Sequence, residues 1–254
     1  GRTLTAPKLI IATGGHPVLP AIDRIADIGA LDSTSLLALE TLPKSLIFIG
    51  AGYIGVELAQ MMRRMGVKVT LVTRSHLLPG AEPEVSQALT DAFTAEGITL
   101  LTGLRYDSVR RDAAGVTLRI MQGGEPVEVT ADHLVSTAGR RANTGGLGLE
   151  DIGVKTDARG SIVTRDDMQT SVPGIYAAGD VTDRDQFVYM AAYGAKLAAK
   201  NAVLGDDQRY DNSVMPWVVF SDPQVAGVGL SEQQARDAGF DVKTSVVPLD
   251  QVPR

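Results

Sequence analysis

Cysteine is absent from all 254 residues, which excludes disulfides, thiolate metal sites and thiol nucleophiles within them. Any thiol chemistry must come from residues outside this sequence. Aromatic residues are scarce at 5%, while glycine is plentiful at 27 residues. That balance fits α/β proteins, whose tight strand-to-helix turns need positive φ and close backbone approach. No long basic run appears and the formal net charge is −6, so the electrostatic footprint of a nucleic-acid binder is missing. The longest apolar stretch, Leu46 to Val56, is broken by glycines and falls far short of the ~20 residues a membrane-spanning helix needs. No basic start leads into an apolar signal segment, so a soluble, cytoplasmic protein is expected, with neither nucleic acid nor membrane as partner. The chain opens on Gly1 and stops at Arg254 without a terminating element, as expected of a piece of a longer protein.

What is present, at 44% hydrophobic content, is enough for more than one core. Residues 8–12 (KLIIA) read as a short buried strand ending in Thr13-Gly14-Gly15, with Pro17 and Pro20 keeping the next loop extended. Ser33 and Thr34 are expected to cap a short helix running toward Leu42, where Pro43 follows. Residues 45–49 then read as a strand, 50–55 as a turn, 53–65 as a helix and 67–73 as a second strand: one βαβ unit. Val85, Leu89 and Phe93 recur at the i, i+4 spacing of an amphipathic helix over 83–96. Strand signals at 98–103, 104–111, 115–121 and 126–130 predict an antiparallel meander before a strand at 133–138. An apolar strand over 172–178 closes on Gly179-Asp180, and an alanine-rich helix covers 187–203. After Asp211-Asn212 the composition shifts to β-branched residues, followed by a helix signal from Glu232 to Ala238, which reads as the opening of another domain.

The run GAGYIG, with Gly50, Gly52 and Gly55, is a GxGxxG fingerprint fed by a strand and left by a helix, the context a dinucleotide site requires. Gly50 permits the tight turn, Gly52 lets a pyrophosphate approach the backbone and Gly55 lets the helix pack on the strand. The helix N-terminus then presents N–H groups and partial positive charge to phosphate. A turn built for packing alone is the plain alternative. At the end of the second strand stands Thr73-Arg74-Ser75-His76, with no carboxylate to accept from a ribose 2′-OH, and Arg74 offers a planar donor fork to a 2′-phosphate. Arg74 could equally be a solvated surface arginine. Asp180 ends an apolar strand, where α/β proteins hold cofactors, although a turn or N-cap aspartate would look the same.

The ordered segments ATGG (12–15), GAGYIGVE (50–57), TAGRRAN (137–143) and GIYAAGD (174–180) resemble the flavin-dependent pyridine nucleotide-disulfide oxidoreductases over essentially the whole chain. Within that family, residues 185–203, 215–232 and 248–254 look most like the mercury-reducing branch. The resemblance implies Rossmann-like nucleotide-binding domains, each a three-layer, mostly parallel sheet, with an inserted antiparallel β-meander, plus the start of an α+β interface domain. It divides the chain into part of an FAD-binding domain (1–42), an NAD(P)H-binding domain (43–145), the returning part of the FAD-binding domain (146–212) and the start of a truncated dimerisation or interface domain (213–254).

Carried over residue by residue, the resemblance makes Tyr53 the ring that covers the flavin and swings aside for nicotinamide. Glu57 becomes the carboxylate near the carboxamide. Asp180, after Gly179, would hold the ribityl chain, and amides near Phe187 and Val188 would face the pyrimidine end of the flavin. Thr13 and Gly14 match the turn between flavin and nicotinamide domains. Further cofactor contacts are expected at Ala51, Ile54, Ser75, Ala138 and Gly139. The implied cofactors are FAD and NADPH, the implied substrate Hg(II), and the implied assembly a homodimer. Two departures stand out: Gly80 takes the place of a second arginine, so NADPH preference rests on Arg74 and Ser75, and Ala142 replaces a proline. The flavin domain's own glycine fingerprint, the redox cysteine pair and the family's His-Glu pair have no counterpart in these residues. His16, His76 and His133 have no neighbours suited to catalysis or metal binding, and no metal site is expected. A different disulfide reductase, or a cofactor-binding module without turnover, remains open.

Overall fold

The computed structural model describes residues 3–205, 207–248, 251 and 252. Two short strands come first, β1 (Leu9–Ile11) and β2 (Gly15–Pro17), then a 3-10 turn over Ile25–Ile28 and the helix α1 (Ser33–Leu37). α1 is shorter than its periodicity predicts, and its cap is Asp32, with Ser33 and Thr34 already inside the helix. The Asp32 carboxylate accepts from the amides of Thr34 (2.9 Å) and Ser35 (2.8 Å), while the Ser35 hydroxyl accepts from the Asp32 amide at 2.8 Å, a closed capping box. The hydrogen bonds from Ser35 hold this carboxyl below its ordinary range.

The central βαβ unit runs through β3 (Ser45–Ile49), α2 (Tyr53–Arg64) and β4 (Lys68–Val72), followed by α3 (Pro83–Ala95) and β5 (Thr99–Leu101). The meander is β6 (Leu104–Asp112), β7 (Gly115–Gln122) and β8 (Glu125–Ala131), and β9 (His133–Ser136) returns to the main sheet. That sheet has the order β5-β4-β3-β9, every pairing parallel. Its two faces follow from the strand period of two. Leu46, Phe48, Val69 and Leu71 pack against α2 and α3 through Val56, Ala59, Met62, Leu89 and Phe93. Ile47, Ile49 and Val72 face the meander's Val116, Leu118 and Ile120. Ile22, Ile25 and Ile28 join that second core, and Leu36 joins the first, so residues 22–36 pack on the sheet from before it in sequence.

β10 (Arg140–Ala142) pairs antiparallel with β2, a pairing that the loop expected after Gly15 did not foretell. β11 (Ile175–Ala177) pairs in parallel with β1. A 3-10 turn over Asp180–Thr182 leads to the long helix α4 (Val188–Leu204). The last described elements are an antiparallel pair, β12 (Pro216–Val219) and β13 (Val225–Val228), and the helix α5 (Glu232–Asp237). Among the described residues no helix is long and apolar enough to cross a membrane.

Candidate functional site

Each glycine of the 50–55 turn answers to a different constraint. Gly50 has φ +100°, and a Cβ there would meet the Thr137 carbonyl oxygen at 2.8 Å. A Cβ on Gly55 would fall 2.0 Å from the Gly50 oxygen, so α2 rests on the strand end only because that atom is missing. Gly52 is the opposite case: its Cβ position has nothing within 4 Å. It is the N-cap of α2, and no side chain accepts from the first helical amides there. The open space and the uncapped helix N-terminus coincide, which suits a phosphate group. Ala51 is buried and its carbonyl accepts from the Leu78 amide at 2.8 Å, tying the loop that carries Arg74 to the turn.

Two cavities meet at this turn, sharing Gly52, Thr137 and Gly139 as lining residues. The larger, about 660 Å³, is walled by Tyr53, Ile54 and Glu57 of α2, by the 183–189 segment including Phe187 and Val188, and by Val218 and Phe220. The smaller, about 550 Å³, runs past Gly50, Ala138, Arg74 and Ser75 to Pro79 and Tyr106. The structure therefore brings together Gly50, Gly52, Tyr53, Ile54, Glu57, Arg74, Ser75, Ala138, Gly139, Phe187 and Val188 around two adjoining cavities. Thr13, Gly14, Ala51, Gly55, Gly179 and Asp180 line neither cavity.

In the larger cavity Tyr53 sits between Phe187, with ring centroids 5.3 Å apart, and Trp217 at 5.8 Å, both edge-on. Phe187 in turn stacks on Tyr189 at 5.3 Å. Burial, and to a lesser degree the charge of Tyr189, raises the Tyr53 phenol above its ordinary value, so Tyr53 stays neutral at physiological pH. Glu57, one helical turn on, accepts from the Phe220 amide at 2.8 Å. The same stripe of α2 continues with Gln60, whose side-chain amide pairs with both the N–H (2.8 Å) and the C=O (2.7 Å) of Asp222. Arg64 ends the stripe, bridging Glu96 (2.5 Å) and Asp222 (2.7 Å). A seam of polar groups on α2 thus fixes residues 220–222, of which Phe220 lines the cavity.

Asp180 lies at the end of β11 and pairs with Arg140 at 3.3 Å. Arg140 also donates to the Gly15 carbonyl at 2.5 Å, joining the strand ends of β2 and β11. Gly179 before it takes φ +77°. At the end of β1 the Thr13 hydroxyl donates to the Asn143 carbonyl (2.7 Å), and the Gly14 carbonyl accepts from the Asn143 amide (2.9 Å). Thirteen and fourteen therefore serve to pin the TAGRRAN segment. Phe187 is the N-cap of α4, with no side chain accepting from that helix's first amides. His16 is bound to Asn143 and His76 to Ser86. No group of three or more possible metal ligands occurs among the described residues.

Residues 1–199 match the family model described as pyridine nucleotide-disulphide oxidoreductase. The chain belongs to that family. Residues 215–254 match the family's dimerisation domain. The chain is 42% identical to a mercuric reductase of Staphylococcus aureus and 44% identical to one of Bacillus cereus, in both cases over 100% of its own length but only 47% and 40% of theirs. It spans about half the length of the curated relatives it matches. Among solved structures it is similar to the HOCl-induced flavoprotein disulfide reductase RclA of Escherichia coli, with 30% identity and a TM-score of 0.85 over 97% of this chain and 56% of that one. LpdA of Mycobacterium tuberculosis matches at 32% identity and a TM-score of 0.78, over 91% of this chain and 50% of that one. The mixed α/β architecture with its parallel sheet is that of the flavoprotein disulfide reductases, as the sequence motifs imply.

Several lining residues carry little signal in the sequence. Thr137 and Arg140 lie inside the TAGRRAN segment, so that motif located them without giving them roles. Val218, Phe220 and Trp217 reach the site from a segment more than 160 positions beyond the glycine turn, as the separation of Phe220 and Glu57 shows. No local pattern encodes such a contact.

Proposed function

We propose that this chain carries the nicotinamide-to-flavin part of an FAD-dependent reductase that uses NADPH to reduce Hg(II) to the element, working as a homodimer. The observation that carries the reading is the convergence of the uncapped glycine turn, the Arg74 loop and the Tyr53 aromatic cluster on two adjoining cavities that share Gly52, Thr137 and Gly139. The residues fit a dinucleotide: Gly52 leaves room beside the α2 N-terminus and lines both cavities. Arg74 would read the 2′-phosphate in the smaller cavity, with the nicotinamide in the larger.

For the flavin, Asp180 would hold the ribityl hydroxyls with Arg140 balancing its charge, and the α4 N-terminus would face the pyrimidine end. When bound, the flavin would supply a two-electron relay from the nicotinamide hydride to a cysteine disulfide outside these residues, whose dithiol form passes the pair to Hg(II) and returns to the disulfide, with one proton released overall. The chain's own work is placement. Tyr53 stands across the larger cavity and must turn from between Phe187 and Trp217 to admit the nicotinamide, excluding water when it returns. Glu57, held by the Phe220 amide, lines the larger cavity, where its carboxylate would orient the carboxamide.

Relatives named mercuric reductase over the whole chain favour Hg(II) as substrate, while the likeness to RclA and LpdA keeps a second reading, reduction of another disulfide. The test uses the protein extended by its flanking coding sequence. NADPH oxidation that depends on Hg(II) and releases volatile mercury is expected. Turnover with lipoamide or glutathione disulfide but not with Hg(II) would overturn the mercury reading. The 254 residues alone, supplied with FAD and NADPH, should show no Hg(II)-dependent oxidation, since they hold no thiolate for a soft metal.

A further inference from the structure

The smaller cavity has a wall that the glycine and arginine motifs do not account for. Its far side is Tyr106 of β6, which lines it together with Arg74, Ser75 and Pro79. The Tyr106 hydroxyl stands 3.3 Å from the Val72 carbonyl, the last residue of β4. In a dinucleotide fold the end of this second strand is where the ribose 2′ position is read. Tyr106 shares the inward face with Leu104 by the ordinary strand period, and the meander becomes irregular just beyond it. The β6–β7 register runs Tyr106↔Ile120 and then Ser108↔Arg119, leaving Asp107 as an extra residue. Leu104 and Tyr106 face inward before that bulge and Val109 after it, an odd spacing that an unbroken strand could not give. The bulge thus lets β6 present Tyr106 to the cavity and still return Val109 to the core.

We propose that Tyr106 is a specificity-determining residue for the phosphorylated cofactor, its hydroxyl supplying the 2′-phosphate with a second donor beside Arg74. This rests on the NADPH reading above and gives the site a second donor from a separate strand. The bond to Val72 is long for an O–H donor, so the proton is only lightly held and can turn to an anion in the cavity. Burial pushes the phenol up to about 12, with the nearby Arg74 opposing the shift. The group therefore meets phosphate as a neutral donor rather than as a repelling phenolate. Its ring, packed against the meander core, keeps that donor in place at little entropic cost.

The experiment measures binding of adenosine 2′,5′-bisphosphate and of AMP to the 254-residue chain by calorimetry, for the parent sequence, Tyr106→Phe and Arg74→Ala. Tyr106→Phe should weaken the bisphosphate roughly tenfold, as loss of a hydrogen bond to a charged group does, and leave AMP within twofold. Retained AMP binding also reports that the variant is folded. An unchanged bisphosphate affinity in Tyr106→Phe, with a loss of about tenfold in Arg74→Ala, overturns the hydroxyl's role and leaves the NADPH reading standing. Equal losses for both nucleotides overturn it in favour of a wall under the adenosine. If the parent chain binds both nucleotides equally and neither variant changes this, the NADPH reading fails and the role of Tyr106 with it.

Discussion

β3 and β1 are made of the same kind of residue and both run into a glycine turn, yet their surroundings differ completely. Leu46, Ile47, Phe48 and Ile49 are at most 1% exposed, whereas Leu9 and Ile10 are 48% and 39% exposed. β3 lies between two parallel neighbours with helices on one face and the meander on the other, while among the described residues β1 pairs only with β11. The comparison extends to how each region holds its neighbours. Around β3 the contacts are apolar and close a core; between α2 and residues 220–222 they are hydrogen bonds and ion pairs. An apolar run announces a strand, but what covers it is decided by segments elsewhere. Damage to the closed core should therefore cost folding, and damage to the polar seam should cost the shape of the site.

The largest effect is expected from removing the part of the core that precedes the sheet. Ile22, Ile25, Ile28 and Leu36 are each at most 7% exposed. Burial of one such side chain contributes about 1.5–3 kcal/mol, against a net stability of about 5–15 kcal/mol for a whole domain. Residues 20–145 expressed alone should unfold cooperatively in urea, and residues 43–145 should not. Equal midpoints for the two would show that the sheet closes its core without this segment.

A smaller effect, and a sharper one, separates two glycines of the same turn. Gly55→Ala sets a methyl against the Gly50 carbonyl, an overpacking that costs about 1–3 kcal/mol or more and should lower the melting temperature. Gly52→Ala meets no protein atom, so its melting temperature should hold while NADPH binding weakens. If Gly52→Ala left binding untouched, the open space beside α2 would not be a phosphate seat.

These expectations also mark how far the sequence could be read. The β3–α2–β4 unit was legible because its period changes from two to 3.6 within a few residues, and GxGxxG fixes the turn between them. The α1 cap was misassigned because Asp32, Ser33 and Thr34 are all good N-cap residues and only geometry chooses among them. The β2–β10 pairing joins residues some 125 positions apart, as Arg140 and Gly15 show. The Tyr106 bulge likewise depends on register in a meander whose strand signals alone leave register open. The seam from Glu57 to Arg64 was invisible for a different reason. Its three polar side chains look like an ordinary helix surface until residues 220–222 are laid against them.

That seam gives the mildest expectation, a sensitivity to acid confined to the site. The Glu96 carboxyl is held below its ordinary value of 4.5, chiefly by the hydrogen bonds from Arg64 and against the opposing effect of burial. A carboxyl depressed in the folded state contributes stability that is fully present above 4.5 and is lost as the pH falls through its lower, folded value. Arg64 is half exposed, so water and salt screen the pair and the contribution to global stability is small. What the pair does control is local: Arg64 also holds Asp222, two residues from Phe220 of the cavity wall, and Trp217 on the same segment packs against Tyr53. Trp217 is the sole tryptophan of the chain, so its emission should report on this wall. Titration from about pH 6 downward should leave the emission flat until it passes below the ordinary carboxylate range, then shift it before the far-ultraviolet circular dichroism is lost. Glu96→Gln should abolish that separate step, because no charge remains to be lost at that position. A Trp217 transition that coincides with global unfolding in both proteins would mean that the seam has no equilibrium of its own and that the wall is held by the apolar core after all.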